Sequence, residues 1–162
     1  MTTRRQATLY LPLPHAADIE RLRSLYNPAQ HALIRAHVTL CREDEVHDWD
    51  ELGNRLAGLG PIAVSLTFGT PVRDGDLVYL PATGSTASFD QLRASLLGPA
   101  ASVRRQQPHI TLIHPRNGTC SGAIFAAIAA QSTAFDVTFR TVTLIAQVDG
   151  GPWRDQPSTP PD

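Results

Sequence analysis

The 162-residue sequence contains no lysine, and all 14 of its basic side chains are arginine. That absence removes the lysine on which a nucleotide-binding P-loop depends, and no glycine-rich phosphate loop of that type is present. Excess charge is missing too. A formal net charge of −1 gives no global electrostatic grip on nucleic acid, so duplex DNA binding is not expected. Cysteine is confined to Cys41 and Cys120, with no metal-ligand spacing between them, which predicts reduced thiols in a cytoplasmic protein. Long apolar runs are also lacking: Ala123 to Ala130 is far short of the roughly 20 residues that cross a bilayer. The apolar part of the N-terminal "MTTRRQATLYLPLPH" is broken by Pro12 and Pro14 and carries no small-residue cleavage site. Neither a membrane span nor a secretion signal is expected.

What is present is the composition of a globular domain, 42% hydrophobic and 18% charged, in a chain long enough to bury one core. Periodicity along it predicts an ordered series of elements. Ala7–Pro12 reads as a strand. "HAADIERLRSLYN" spaces Ile19, Leu22, Leu25 and Tyr26 as a helix that stops at Asn27-Pro28. "RAHVTLCRE" reads as a strand with His37, Thr39 and Cys41 on one face. "EDEVHDWDELGNRLAGLG" spaces Val46, Trp49, Leu52, Leu56 and Leu59 helically, and its acidic residues are expected to be the solvated start of that helix.

"IAVSLTFG" alternates as a half-buried strand, and Asp74-Gly75 is a turn that leads into the strand "DLVYLPA". "STASFDQLRASLLG" predicts a helix on Phe89, Leu92 and Leu96. "QQPHITLIHP" is a strand with His109, Thr111 and Ile113 on one face. "SGAIFAAIAAQS" is a helix with Ile124, Phe125 and Ile128 inward. "AFDVTFRTVTLIAQV" reads as one long strand whose apolar parity changes between Phe139 and Val142, as at a bulge or where both faces are buried. From Trp153 to Asp162 the tail is polar and Pro-rich and is expected to be disordered.

The elements therefore run strand, helix, strand, helix, strand, and then repeat that order. The repeat has a chemical signature: "AHVTLC" and "PHITLI" share His, a β-branched residue, Thr and Leu, with the two histidines 109 − 37 = 72 residues apart. Each copy falls on the middle strand of its half. The expected fold is α+β, with duplicated β-α-β-α-β units forming two pseudo-symmetric lobes around a central cleft. It forms a single bilobed domain over residues 1–152, with halves at about 1–70 and 71–152 and exchange of strands between lobes left open. The short Asp74-Gly75 link makes at least one strand pair antiparallel.

On a strand, residues i and i+2 face the same way about 6.6–6.8 Å apart, so each His–Thr pair can reach one ligand. A Thr hydroxyl can donate to a phosphoryl oxygen, and an imidazole can give or take a proton near neutral pH. Two such strands facing one cleft present two imidazoles and two hydroxyls to a phosphodiester. His37 and His109 are thus the candidate acid and base, and Thr39 and Thr111 the candidate phosphate-binding residues. Arg35 shares parity with His37 and is a candidate phosphate contact. Arg105, beside Arg104, precedes the second motif and is a candidate for guiding an anionic substrate. Tyr10 is a candidate for stacking on a base or an ordinary rim aromatic. His15, His31, His47 and His114 make no recognised metal-ligand spacing, so no metal site is expected.

"HVTL" and "HITL" resemble the two H-x-T motifs of the 2H phosphoesterase superfamily, which includes bacterial 2′-5′ RNA ligase-like proteins and cyclic nucleotide phosphodiesterases. The resemblance covers nearly the whole chain, from the opening "LYLPLP" strand and helix to the duplicated order of elements. It implies a bilobed α+β fold, no metal or other cofactor, and action on a 2′,3′-cyclic or 2′-5′ phosphodiester in a nucleotide or RNA end. Carried over residue by residue, the motif positions are His37, Thr39, His109 and Thr111. Two other readings share these residues: joining of RNA ends through a 2′-5′ bond, and a module that binds nucleotides or RNA ends without turnover. The chain departs from longer members after "DGGPW", where a final strand is expected to be missing.

Overall fold

Segments with a two-residue apolar period form strands and those with a helical period form helices, so each element presents one apolar face. The computed structural model describes residues 1–99 and 104–157. Within them the order is β1 (Thr3–Tyr10), α1 (His15–Tyr26), α2 (Pro28–Leu33), β2 (His37–Cys41), a 3₁₀ turn (Glu43–Glu45), α3 (Trp49–Gly58) and β3 (Val64–Phe68). A hairpin of β4 (Val72–Asp74) and β5 (Leu77–Thr83) follows, then α4 (Ala87–Leu97), β6 (His109–Ile113), α5 (Gly122–Ala130), β7 (Phe135–Phe139), β8 (Thr143–Val148) and β9 (Trp153–Asp155). Among the described residues, no helix is long and apolar enough to cross a membrane.

The strands make one antiparallel sheet in the order β7-β3-β5-β6-β2-β1-β8-β9, with β4 paired to β5. The two motif strands, β2 and β6, are central neighbours. Outward from β6 come β5 and β3, and outward from β2 come β1 and β8. The order is thus repeated about the β2–β6 pair, with β3 from the first half lying in the second half's flank and β8 doing the reverse. Helices follow the same exchange: α1 lies against β6 and α4 against β2. One face of the sheet carries the core, in which Val38, Leu40, Ile110 and Leu112 meet Phe89, Leu96 and Ile128 from the helices. The opposite face stays partly open.

Several elements depart from the expected pattern. Helix α1 stops at Asn27-Pro28 as expected, but Pro28 then opens a second helix, α2, where its fixed φ suits the first turn and its missing N–H is not needed. Helix α3 begins only at Trp49, because the Asp48 carboxylate caps it by accepting from the backbone N–H groups of Asp50 and Glu51. The parity change after Phe139 is not a bulge. It marks where the chain leaves β7, paired with β3, and crosses to β8, paired with β1. Finally, part of the expected tail is ordered: Trp153–Asp155 forms β9 against β8, the strand expected to be missing. Residues 158–162 of that tail lie outside the described residues.

Candidate active site

β2 and β6 are joined by one bridge among the described residues, Val38 opposite Ile110. Continuing that antiparallel register one residue each way sets His37 across from Thr111 and Thr39 across from His109. All four are half-buried on the open face, while Val38, Leu40, Ile110 and Leu112, at no more than 2% exposure, point into the core. The four Cα atoms therefore outline a rectangle of about 6.7 Å along each strand and about 5 Å between strands. The two imidazoles stand at opposite corners and the two hydroxyls at the others.

The strand alternation expected for Cys41 and Ile113 fails, and it fails the same way in both halves. Cys41 and Ile113 are fully buried in the core. A register shift between Ala7 and Thr8 on β1 accompanies Cys41, and one between Val78 and Tyr79 on β5 accompanies Ile113. Each bulge turns the third same-face residue inward, so only the His and the Thr remain on the open face. Burial pushes the Cys41 thiol up to about 12, which leaves it inert at neutral pH.

Each imidazole is oriented by its own strand. His37 Nδ1 lies 2.8 Å from the Arg35 carbonyl oxygen and His109 Nδ1 3.0 Å from that of Gln107. A carbonyl can only accept, so both Nδ1 atoms carry the proton, and Nε2 is the atom left to exchange a proton with a ligand. Burial pushes His37 down to about 4; the Arg35 carbonyl opposes this, and the charges of Arg23 and His109 add to it. His37 is therefore neutral at pH 7.

The two hydroxyls differ in support. Gln6 Nε2 donates to Thr39 Oγ1 at 3.1 Å, which leaves the Thr39 hydroxyl proton free to donate elsewhere. Gln106 Nε2 donates to the Thr39 carbonyl at 2.9 Å. No such bond is made to the Thr111 hydroxyl among the described residues.

The flanking tyrosines show a second asymmetry. Tyr10 pairs across from His37 with ring centroids 6.4 Å apart, and the Arg35 guanidinium lies 3.8 Å above the Tyr10 ring. Asp155, on the unexpected β9, stands 3.9 Å from Arg35. The second tyrosine, Tyr79, has its ring centroid 5.7 Å from that of His109 but pairs across from Thr111. Its positional counterpart on β1 is Thr8, which pairs across from Thr39 and is buried. Tyr79 was legible as "VYLP" echoing "LYLP" at Leu9–Pro12, yet the echo is two residues out of structural register. Gln6 shares strand parity with Tyr10, and that was its only signal.

A cavity of about 440 Å³ opens beside His109, bordered by Tyr79, Leu77, Gln107, Arg42 and Arg105. Arg105 thus reaches the site region, whereas Arg104 serves the frame by pairing with Asp44 at 2.9 Å and Glu45 at 3.1 Å. The acidic run is not simply solvated. The Glu45 side chain is 6% exposed and accepts two bonds from Arg93, itself 1% exposed, at 2.8 and 3.0 Å. Burial raises the Glu45 pKa, but bonds from Arg93, the Arg42 N–H and Arg104 outweigh it and hold the carboxylate at about 2. Arg93 also donates to the carbonyls of Leu40 and Arg104, so it ties the end of β2 to the approach to β6. On the other side buried Asn27 accepts from the His114 N–H at 2.8 Å and fixes the end of β6. Among the described residues, no three His, Cys, Asp or Glu are grouped to hold a metal ion.

Comparison with known proteins places the fold. Solved structures of E. coli LigT share the fold: the complex with 3′-AMP is 18% identical, with a TM-score of 0.60 over 96% of this chain and 94% of that one. The complex with ATP is 17% identical at the same TM-score and coverage. A crystal structure described as a phosphoesterase is 17% identical, with a TM-score of 0.59 over 96% of this chain and 95% of that one. No curated protein sequence matches. The sequence profile of the 2′-5′ RNA ligase superfamily matches residues 11–151, a region holding both His–Thr strands and Tyr79. The chain therefore belongs to the 2′-5′ RNA ligase superfamily, the 2H phosphoesterases.

Proposed function

We propose that the protein is a phosphoesterase that hydrolyses a 2′,3′-cyclic phosphate, or a 2′-5′ phosphodiester, in a nucleotide or at an RNA end. The observation that carries this reading is the arrangement of four side chains on one open face, with two imidazoles on one diagonal and two hydroxyls on the other. Structures of the similarly folded LigT hold phosphate, 3′-AMP, ATP and NADP⁺, which supports a nucleotide-type ligand. Displacement at phosphorus places the entering and leaving oxygens roughly in line, and the imidazole diagonal spans such a line.

His37, neutral at pH 7, takes the proton of a water through Nε2 as that water's oxygen bonds to phosphorus. The bond from phosphorus to one ribose oxygen breaks, and His109 delivers its Nε2 proton to that oxygen. The product is a phosphomonoester with a free ribose hydroxyl, and proton exchange with solvent restores both rings. Thr39 and Thr111 donate to the non-bridging oxygens, where charge accumulates in the transition state. Tyr10 remains a neutral phenol, since burial and Asp155 raise its pKa against the opposing pull of Arg35.

The test is turnover of nucleoside 2′,3′-cyclic phosphates and 2′-5′ dinucleotides, with the product phosphate located by ³¹P NMR. The expected result is one phosphomonoester isomer. Tight binding without turnover across the panel would make the protein a binding module. Preferential 2′-5′ joining to a 5′-hydroxyl acceptor would make it a ligase.

A further inference from the structure

The cavity beside His109 lies on the β5 side, whereas on the His37 side Arg35 covers Tyr10 and faces Asp155. Its contents suit a nucleotide. Tyr79 offers an aromatic face next to the second motif, and single-stranded nucleic acids are held by such stacking together with arginine contacts to phosphate. Of the three cavity arginines, Arg104 is spent on Asp44 and Glu45. Arg42 and Arg105 are exposed and have no carboxylate within 4.0 Å among the described residues. Arg42 lies three residues beyond Thr39 and Arg105 four before His109, roughly 10–13 Å along extended chain. Allowing for the reach of an arginine, that leaves room for one nucleoside between the reacting phosphorus and a guanidinium. Asp74 on β4 borders the same cavity and repels an anion from its own side, leaving Arg42 and Arg105 as the anion-binding end.

We propose that this cavity is a subsite for the nucleoside bearing the reacting phosphate, with its base on Tyr79 and its 5′-phosphoryl group held by Arg42 and Arg105. Resting on the phosphoesterase reading above, this narrows the substrate class to nucleotides or RNA ends that are phosphorylated or extended on the 5′ side. Simple cyclic nucleosides with a free 5′-hydroxyl are poor substrates.

The test is calorimetric binding of adenosine 3′,5′-bisphosphate against 3′-AMP, alongside kcat/KM for adenosine 2′,3′-cyclic phosphate with and without a 5′-phosphate. Wild-type protein is expected to favour the 5′-phosphorylated compound about 10- to 100-fold in both assays. In the Arg42→Gln/Arg105→Gln double variant that ratio should fall to within about threefold of one, and in His109→Asn the binding ratio should persist. Equal binding of the two compounds by wild type, or a ratio unchanged in the double variant, overturns the subsite. If the binding preference holds but no cyclic phosphate is turned over, the subsite stands and the phosphoesterase reading falls.

Discussion

β1 and β5 flank the two motif strands in equivalent places, yet they build unlike walls. On the β1 side Gln6 braces the Thr39 hydroxyl, and Tyr10 is pinned beneath Arg35, which is itself faced by Asp155. On the β5 side Leu77 and Tyr79 border open space, and the Thr111 hydroxyl has no such brace among the described residues. The proposed reaction needs a proton taken on one side of a phosphodiester and given on the other, which two similar motif strands can supply. A substrate with different groups on those two sides gains nothing from identical walls. The flanking strands differ where the motif strands match.

If the histidines are unequal partners, replacing either with alanine should lower kcat by about 10²- to 10⁴-fold, but the pH profiles should part. With its base held at about 4, the wild-type enzyme should keep kcat/KM from neutral pH down towards pH 4, because the base is competent only above its own pKa. Residual activity of His37→Ala should lose that acid limb, whereas that of His109→Ala should keep it. Matching profiles in the two variants would dissolve the distinction between the sides.

The frames behind the walls come next. Arg93→Met removes both Arg93 bonds to the buried Glu45 carboxylate, leaving it only Arg104 and the Arg42 N–H, and should cost about 3 kcal/mol, a fall of roughly 6–12 °C in melting temperature. Asn27→Ala, which strands the His114 N–H, should cost about 1–3 kcal/mol. The sign with pH follows from Glu45, whose folded pKa of about 2 lies below its ordinary 4.5. Its contribution is complete above pH 4.5 and is lost as pH falls towards 2. Chemical denaturation across that window should show the gap between wild type and Arg93→Met shrinking, while the Asn27→Ala gap stays constant.

The smallest effects lie in the hydroxyls. Thr39→Val and Thr111→Val should each lower kcat/KM roughly 10- to 100-fold, the range for a hydrogen bond to a charged group. Gln6→Leu touches no substrate atom and should lower kcat about 2- to 10-fold with little change in KM. Combined with Thr39→Val it should add nothing, whereas combined with Thr111→Val the two losses should multiply. Additivity in both cycles would remove Gln6 from its positioning role.

Much of this was readable in one dimension because strand alternation is local. His37 with Thr39, and His109 with Thr111, share a face for no reason beyond the two-residue period. The same rule misplaced Cys41 and Ile113, since each motif strand carries one extra residue, Leu40 against Ala7 and Thr8 and Leu112 against Val78 and Tyr79, and only pairing with the flanking strand reveals it. Glu45 looked solvated because the arginine that buries it lies 48 residues away. Helix α2 and strand β9 were missed for a related reason, as short elements gain their stability from what they dock against.

The sequence by itself determined the duplicated order of elements and the pairing of each His with a Thr on one strand face, because side-chain periodicity and residue chemistry are properties of short segments. Only the tertiary structure decided that the two motif strands are neighbours, that β3 and β8 change sides, and that one wall is closed by Arg35 and Asp155 while the other stays open. Those outcomes depend on hydrogen-bond register and packing between segments far apart in the chain, which no local pattern encodes.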